Sequence, residues 1–293
     1  MSLTSMLDDP NSPLAQWIRE TFGHKAMAAI VKEINDKLDH TSPILPQVDH
    51  GEYTVVGNAF DYLFRWHLGP LTKTVAQGGA LILATEGWPN TDDVVQATLD
   101  HGSQSTDPAE RATCAIVLTW FEAVFRSRAE RIVQPLNAIK SQTDPVKAAA
   151  YLRQQVNPAV VDDLVNLVTH IPQVWDFTNH EVRYLNPTFA GSIDVGGADA
   201  DWIFGGTLYE CKVTIRERPF RRRDLLQAIG YALLDYDDRY HIRKVGWYFP
   251  RQRVRYVYTL ADLFRRLAVL QDIAELRKEI GRHLGGWIKP TKA

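Results

Sequence analysis

The chain has 293 residues, 45% of them hydrophobic and 23% charged, with a formal net charge of −2. That length and balance suffice to bury a core in one large domain or two small ones, and they exclude a collagen, a coiled coil, a disulfide miniprotein and a largely disordered chain. The small net charge hides an asymmetry: residues 1–210 carry 14 Lys and Arg against 26 Asp and Glu (−12), whereas residues 211–293 carry 19 against 9 (+10). A basic stretch of this kind hints at a polyanion-binding surface.

The first 170 or so residues read as helices whose starts are marked by capping side chains. Ser12, Asp107 and Asp144 each stand before a proline, and Thr91 stands before an Asp pair, the arrangement that satisfies free amides at a helix start. Gly23 is expected to end the first of these helices. Residues 55–67 have apolar residues at helical spacing, with Asp61 and Arg65 one turn apart. Two cysteines, Cys114 and Cys211, are too few for a disulfide framework, so a reducing, cytoplasmic compartment is expected. The opening residues have no basic or apolar leader region, and the apolar run near 114–125 is shorter than a membrane span. Neither export nor membrane insertion is expected.

Near Val174 the period changes. Segments 181–195, 200–204 and 207–214 are short, rich in aromatic or β-branched residues and punctuated by glycines, which predicts three strands. Gly205-Gly206 predicts a tight hairpin between the last two. Residues 222–235 return to helical periodicity; 244–249 and 253–260 predict two more strands, and 261–281 a closing helix. The order is that of a mixed α+β chain, with a helical region over residues 1–173 and a β-containing region over 174–293.

The segment Gly196 to Thr214 carries the chemistry. Asp201 opens one predicted strand, while Glu210 and Lys212, two apart, share one face of the next, and hairpin pairing brings the three together. Converging carboxylates call for a cation, and a hard oxygen site of low charge suits Mg²⁺ or Mn²⁺. A lysine beside such an ion can orient or help deprotonate an attacking water and offset charge on phosphorus, which points to phosphodiester hydrolysis. The bland alternative is a cross-strand ion pair on an exposed sheet face. Asp199 is read as a turn residue or a second ligand. The nine histidines and two cysteines show no zinc-ligand spacing. Asp235, Asp237 and Asp238 are read as a solvent-facing helix end.

Asp201, then Glu-x-Lys nine residues on, then Gln227 and Tyr231 one turn apart on the following helix resembles the PD-(D/E)xK nuclease superfamily and its RecB-like branch. The resemblance spans residues 181–260 and implies a restriction-endonuclease-like α-β-β-β-α-β core. It implies further that Asp201, Glu210 and the main-chain carbonyl of Cys211 hold the metal, that Lys212 and Gln227 act at the reacting centre, and that Tyr231 lies near DNA. The helix at residues 55–68 would be the first core helix, with Asp61 as an added acidic group. Unlike the family pattern, no proline precedes Asp201.

Arg216, Arg218, Arg221, Arg222 and Arg223 follow the hairpin, and Arg251, Arg253 and Arg255 would form one stripe on a strand; together they read as a phosphate track. The expected activity is thus metal-dependent nuclease action on DNA, with RNA left open. The rivals are a non-catalytic nucleic-acid-binding or assembly protein on the same fold and a metal-dependent phosphohydrolase of nucleotides. The helical region would serve for self-association or for a protein partner.

Overall fold

The structure, a computed structural model, describes residues 2–46, 48–69, 71, 74–127, 134–176 and 183–285. The chain is mixed α+β and divides into two compact units, residues 1–43 with 178–293, and residues 44–177.

Three helices open the chain: α1 (Leu3–Asp8), α2 (Pro13–Thr21) and α3 (His24–Leu38). Ser12 caps α2, its hydroxyl oxygen accepting from the Ala15 amide at 3.0 Å, with Pro13 at the first helical position where a missing N–H costs nothing. Gly23 does not end that helix, which stops at Thr21, but caps the start of α3.

The second unit is helical: α4 (Tyr53–Leu68), α5 (Val75–Thr85), α6 (Thr91–Gln104), α7 (Pro108–Ser127), the short α8 (Gln134–Asn137), α9 (Pro145–Gln154), α10 (Pro158–Thr169) and the short α11 (Ile171–Val174). Its centre is α7, where Ala112, Ala115, Ile116, Leu118 and Phe121 are all buried against α4, α5, α6 and α10. A Cβ at Gly79 of α5 would lie 1.8 Å from the Phe121 carbonyl oxygen. Only glycine allows that crossing, which explains a residue of poor helix propensity inside a helix. Asp107 and Asp144 cap α7 and α9 as expected. Thr91 does not: Asn90 is the cap, in the left-handed region at φ 54°, and the Thr91 hydroxyl donates to the Ala80 carbonyl at 2.7 Å.

The chain then returns to the first unit through β1 (Arg183–Leu185), β2 (Trp202–Phe204), β3 (Thr207–Cys211), α12 (Arg222–Leu234), β4 (Lys244–Phe249), β5 (Val254–Thr259), α13 (Leu260–Arg266) and α14 (Ile273–Leu284). The five strands lie in sequence order in one sheet. All neighbours are antiparallel except β3 and β4, which run parallel; α12 is the crossover that a parallel pair requires. Gly205 and Gly206 turn the β2–β3 hairpin at φ 48° and 70°, as a tight two-residue connection demands. Leu208, Val245, Trp247 and Phe249 share one core with Leu225, Ala228, Ile229 and Ala232 of α12 and with Leu3, Met6, Ile18, Met27, Ile30 and Ile34.

Several expectations are corrected. The strand expected over 181–195 is three residues long, and residues 190–195 form a 3-10 turn; Glu181 and Val182 lie outside the described residues. Ser192 explains the turn, since its hydroxyl donates to Ala198 O and accepts from the Phe189 amide at 2.7 and 2.9 Å, local bonds that compete with a strand ladder. The single closing helix is two, because Ala268 adopts a left-handed conformation at φ 61° and Asp272 starts α14 afresh by capping Glu275. Residues 1–173 are not one region either: α1 and α3 pack on α12 and belong with the sheet. The helix over residues 55–68, offered as the first core helix, falls in the helical unit instead. Among the described residues no helix is long and apolar enough to cross a membrane.

Candidate functional site

Leu208, Glu210 and Lys212 alternate along β3 and its extension, and so project from one face of the sheet. The ladder does continue as far as Lys212, whose amide donates to Tyr248 O at 2.8 Å. Glu210 sits opposite Trp247 in the parallel register, and Trp247 Nε1 donates to Asp224 O at 3.1 Å. The first turn of α12 is thereby tied to the strand pair that carries the site.

The side chains form one connected array. Lys212 Nζ donates to Gln227 Oε1 at 2.9 Å and lies 3.3 Å from Glu210 Oε2 and 3.4 Å from Asp224 Oδ1. Gln227 Nε2 donates to Tyr231 OH at 3.1 Å, and Tyr231, buried, stacks on Phe189 with ring centres 5.6 Å apart. Asp201 reaches across from the start of β2, its Oδ2 accepting from the Cys211 amide at 2.6 Å. Glu210 is only 2% exposed, and its Oε1 is buried with no hydrogen-bond partner among the described residues. Such an oxygen is costly unless another group completes it.

Charge in the array is unbalanced. Burial pushes the Glu210 carboxyl up to about 7; Lys212 works against that shift, and Asp224 and Asp199 add to it. Burial also disfavours the Lys212 ammonium, yet Glu210, Asp224 and Asp201 together outweigh it and raise its pKa. The carboxylates around the pair act on both groups: Asp224 and Asp199 raise Glu210 further, and Glu210, Asp224 and Asp201 raise Lys212. Tyr231 is raised well above its ordinary value by burial and then by Glu210, so it stays a neutral phenol.

This surplus and the unpartnered Glu210 oxygen fit a divalent cation. Among the described residues no group of three or more His, Cys, Asp or Glu side chains is placed to hold a metal ion. An ion here would therefore rest on two carboxylates, a main-chain oxygen and water, a ligand set that Mg²⁺ accepts.

Asp224 is the site residue that the sequence reading missed. Its Oδ2 accepts from the Arg221 amide at 2.8 Å, closing the start of α12, while its other oxygen faces Lys212. The signal was present: an acidic residue in the first helical turn, three positions before Gln227, shares a face with it. Asp61 is not part of this array. It lies in the helical unit and pairs with Arg65 one turn on.

The basic residues separate into groups. Arg216, Arg218 and Arg221 are exposed and Arg222 is half-buried, whereas Arg223 is paired with Asp8 at 2.9 Å. The stripe expected from Arg251, Arg253 and Arg255 does not form. Residues 250–253 are a turn closed by the Arg253 amide on Pro250 O at 3.1 Å. Arg251 is buried, and Arg253, at φ 57°, donates to Ser42 O. Arg255 alone lies on β5, exposed. Nor is the end of α12 a solvated acidic run: Asp235 is fully buried and held by Arg277 at 3.0 Å.

No family model, no curated protein and no solved structure matches this chain. Function is therefore read from the site itself.

Proposed function

We propose that this chain is a metal-dependent nuclease of the PD-(D/E)xK kind that hydrolyses DNA phosphodiester bonds. The observation that carries the reading is the simultaneous hold on Lys212 Nζ by Glu210, Asp224 and Gln227, beside a buried Glu210 oxygen without a partner. An exposed cross-strand ion pair needs neither that burial nor that convergence. The order of the sheet unit, with helix α3, the meander β1–β2–β3, helix α12 and then β4 parallel to β3, supports the restriction-endonuclease-like reading of the fold.

Asp201, Glu210 and the Cys211 carbonyl would hold Mg²⁺ or Mn²⁺. Such an ion supplies Lewis-acid polarisation of a phosphate oxygen and acidifies a bound water. The rest falls to the chain's own residues. Lys212, held cationic by its carboxylates, acts as a donor that orients water and offsets negative charge on the phosphoryl oxygens, not as a base. Gln227 is fixed from both ends, by Lys212 and by Tyr231, and so holds the ammonium in one place. An ammonium held rigidly in place has little reorganisation to undergo at the moment of reaction.

Purified protein is expected to cut DNA with Mg²⁺ or Mn²⁺ and not with EDTA. Lys212→Ala should lower the rate by roughly 10²–10³-fold, the scale for removal of one transition-state donor. Glu210→Gln, which keeps the shape and removes one surplus buried charge, should abolish cleavage while making the metal-free fold more stable by about 1–2 kcal/mol in urea. Cleavage by Lys212→Ala at the wild-type rate would overturn the assignment, and DNA binding without cleavage by the wild type would favour the non-catalytic rival.

A further inference from the structure

A groove of about 440 Å³ lies between α3 and the loop that leads from β3 into α12, within the roughly 300–1,000 Å³ of pockets that take small organic groups. Two chemistries line it. Ala28 and Val31 on α3 are apolar and accessible, with Phe220 of the loop buried beneath them, while Arg218, Arg221 and Arg222 are cationic.

The charge there is uncompensated. Arg223, the next residue along, is paired with Asp8, but among the described residues none of the three groove arginines has a carboxylate partner. Arg222 Nε is moreover buried without a hydrogen-bond acceptor among the described residues. The groove is also preformed. Asn35, 2% exposed, clamps the loop by donating to Phe220 O at 2.8 Å and accepting from the Phe220 amide at 3.0 Å. A cationic wall held open beside an apolar one asks for a ligand that is anionic along one edge and apolar along the other.

We propose that this groove holds an unpaired stretch of the nucleic-acid strand that is cut at the Lys212 site, an inference that rests on the nuclease reading above. A duplex offers a protein surface mainly its phosphates, with its base faces stacked out of reach. A single strand presents phosphates to cationic side chains and base or sugar faces to apolar ones, and binding of that kind tracks the backbone with little sequence preference. The groove neighbours the chemistry along α12: Arg221 and Arg222 stand at its start, and Asp224 in the same turn touches Lys212. A strand held by these arginines would lie one helical turn from Asp224.

The test uses the full chain in EDTA, so that binding is read without turnover, with a labelled single-stranded DNA oligonucleotide and the blunt duplex of the same sequence as probes in fluorescence anisotropy. The single strand should bind about tenfold or more tightly than the duplex, with strong salt dependence. Arg218→Ala with Arg221→Ala should weaken it about tenfold and lower the log–log salt slope by roughly 1.4, about 0.7 for each phosphate no longer neutralised. Ala28→Glu, at an exposed helix position where misfolding is not expected, should weaken it as well; wild-type melting curves would exclude unfolding in both variants. Equal or tighter binding of the duplex, or unchanged single-strand affinity in the variants, would overturn the proposal. The two readings fail separately: absence of a strand preference with Mg²⁺-dependent cleavage intact removes the groove and leaves the nuclease, whereas a retained preference without cleavage removes the nuclease and leaves the groove.

Discussion

The helical unit and the sheet unit pair charge in different ways. In the helical unit the pairs Asp61–Arg65, Glu122–Arg126 and Asp144–Lys147 join positions three or four apart, the spacing at which any helix brings side chains together, and the exposed His101–Glu110 contact joins neighbouring helices nine positions apart. Arg65 and Glu122 are nonetheless buried. In the sheet unit Lys212 meets Asp224 from another element, Arg277 meets Asp235 across 42 residues, and Arg266 meets Glu33 across 233. Net charge differs as well: residues 1–43 with 178–293 carry 24 Lys and Arg against 20 Asp and Glu (+4), and residues 44–177 carry 9 against 15 (−6). Burial alone therefore says little about purpose. A pair that the helix itself supplies needs no further reason, whereas polar groups gathered from distant parts of a chain persist only because the whole fold holds them.

The largest stability effect expected from this contrast is at Arg277. Its Nε donates to the Ala232 carbonyl at 3.0 Å near the end of α12, and its two terminal nitrogens reach Asp238 at 2.5 Å and Asp235 at 3.0 Å. Arg277→Ala leaves the Asp235 carboxylate buried without its cation, which should lower unfolding stability by about 3–5 kcal/mol in urea titration. A drop below about 1 kcal/mol would put this pair on the footing of a surface ion pair and erase the distinction between the units.

A smaller effect is expected at Glu33, which has both kinds of partner. Lys37, one turn on, lies 2.8 Å away, while Arg266 and the Tyr258 hydroxyl come from distant elements. Hydrogen bonds first from Lys37 and then from Arg266 hold the carboxyl at about 2 instead of 4.5. A carboxylate with a depressed folded-state pKa stabilises the fold above its unfolded value and loses that contribution as pH falls toward the folded one. About a third of the Glu33 side chain is exposed, so solvent screens most of the gain. Glu33→Gln should lower Tm by about 1–2 °C at pH 7, and the gap should close as pH drops from 4.5 toward 2. A gap that widened in acid would reverse the sign of the linkage.

How much of this was legible in the sequence depended on range. Ser12-Pro13, Asp107-Pro108 and Asp144-Pro145 announced their helices because capping is a contact between neighbours. Gly205-Gly206 announced the hairpin for the same reason, and the hairpin sets Asp201 beside β3. Gln227 and Tyr231 were readable as a pair one helical turn apart. The capping pair Asp272 and Glu275 was equally local and was overlooked, so one closing helix was expected where two exist. The docking of α1 and α3 on α12 was not legible, since an apolar helix face does not name the element it covers. Arg251 was misread because alternation predicts a shared face only inside a strand, and the turn at residues 250–253 ends before β5 begins. Asp224 shows the limit most clearly: its first-turn position was readable, but its contact with Lys212 depends on how α12 lies against β3.

The smallest effect expected tests the other side of the comparison. Lys147 Nζ lies 3.4 Å from Asp144 Oδ2, with the two side chains 75% and 41% exposed. Asp144 already accepts from the Val146 and Lys147 amides at 3.1 Å each, and its carboxyl is held below the usual range first by the Lys147 main chain and only then by the Lys147 side chain. The cap is therefore made by the backbone, and the ammonium lies in solvent that screens it. Lys147→Ala keeps both amides, removes only the screened charge and adds a better helix former. Tm should move by less than about 1 °C. A decrease of several degrees would mean that sequence-local pairs in the helical unit hold the fold as strongly as the long-range pairs of the sheet unit, and distance along the chain would then no longer separate structural charge from functional charge.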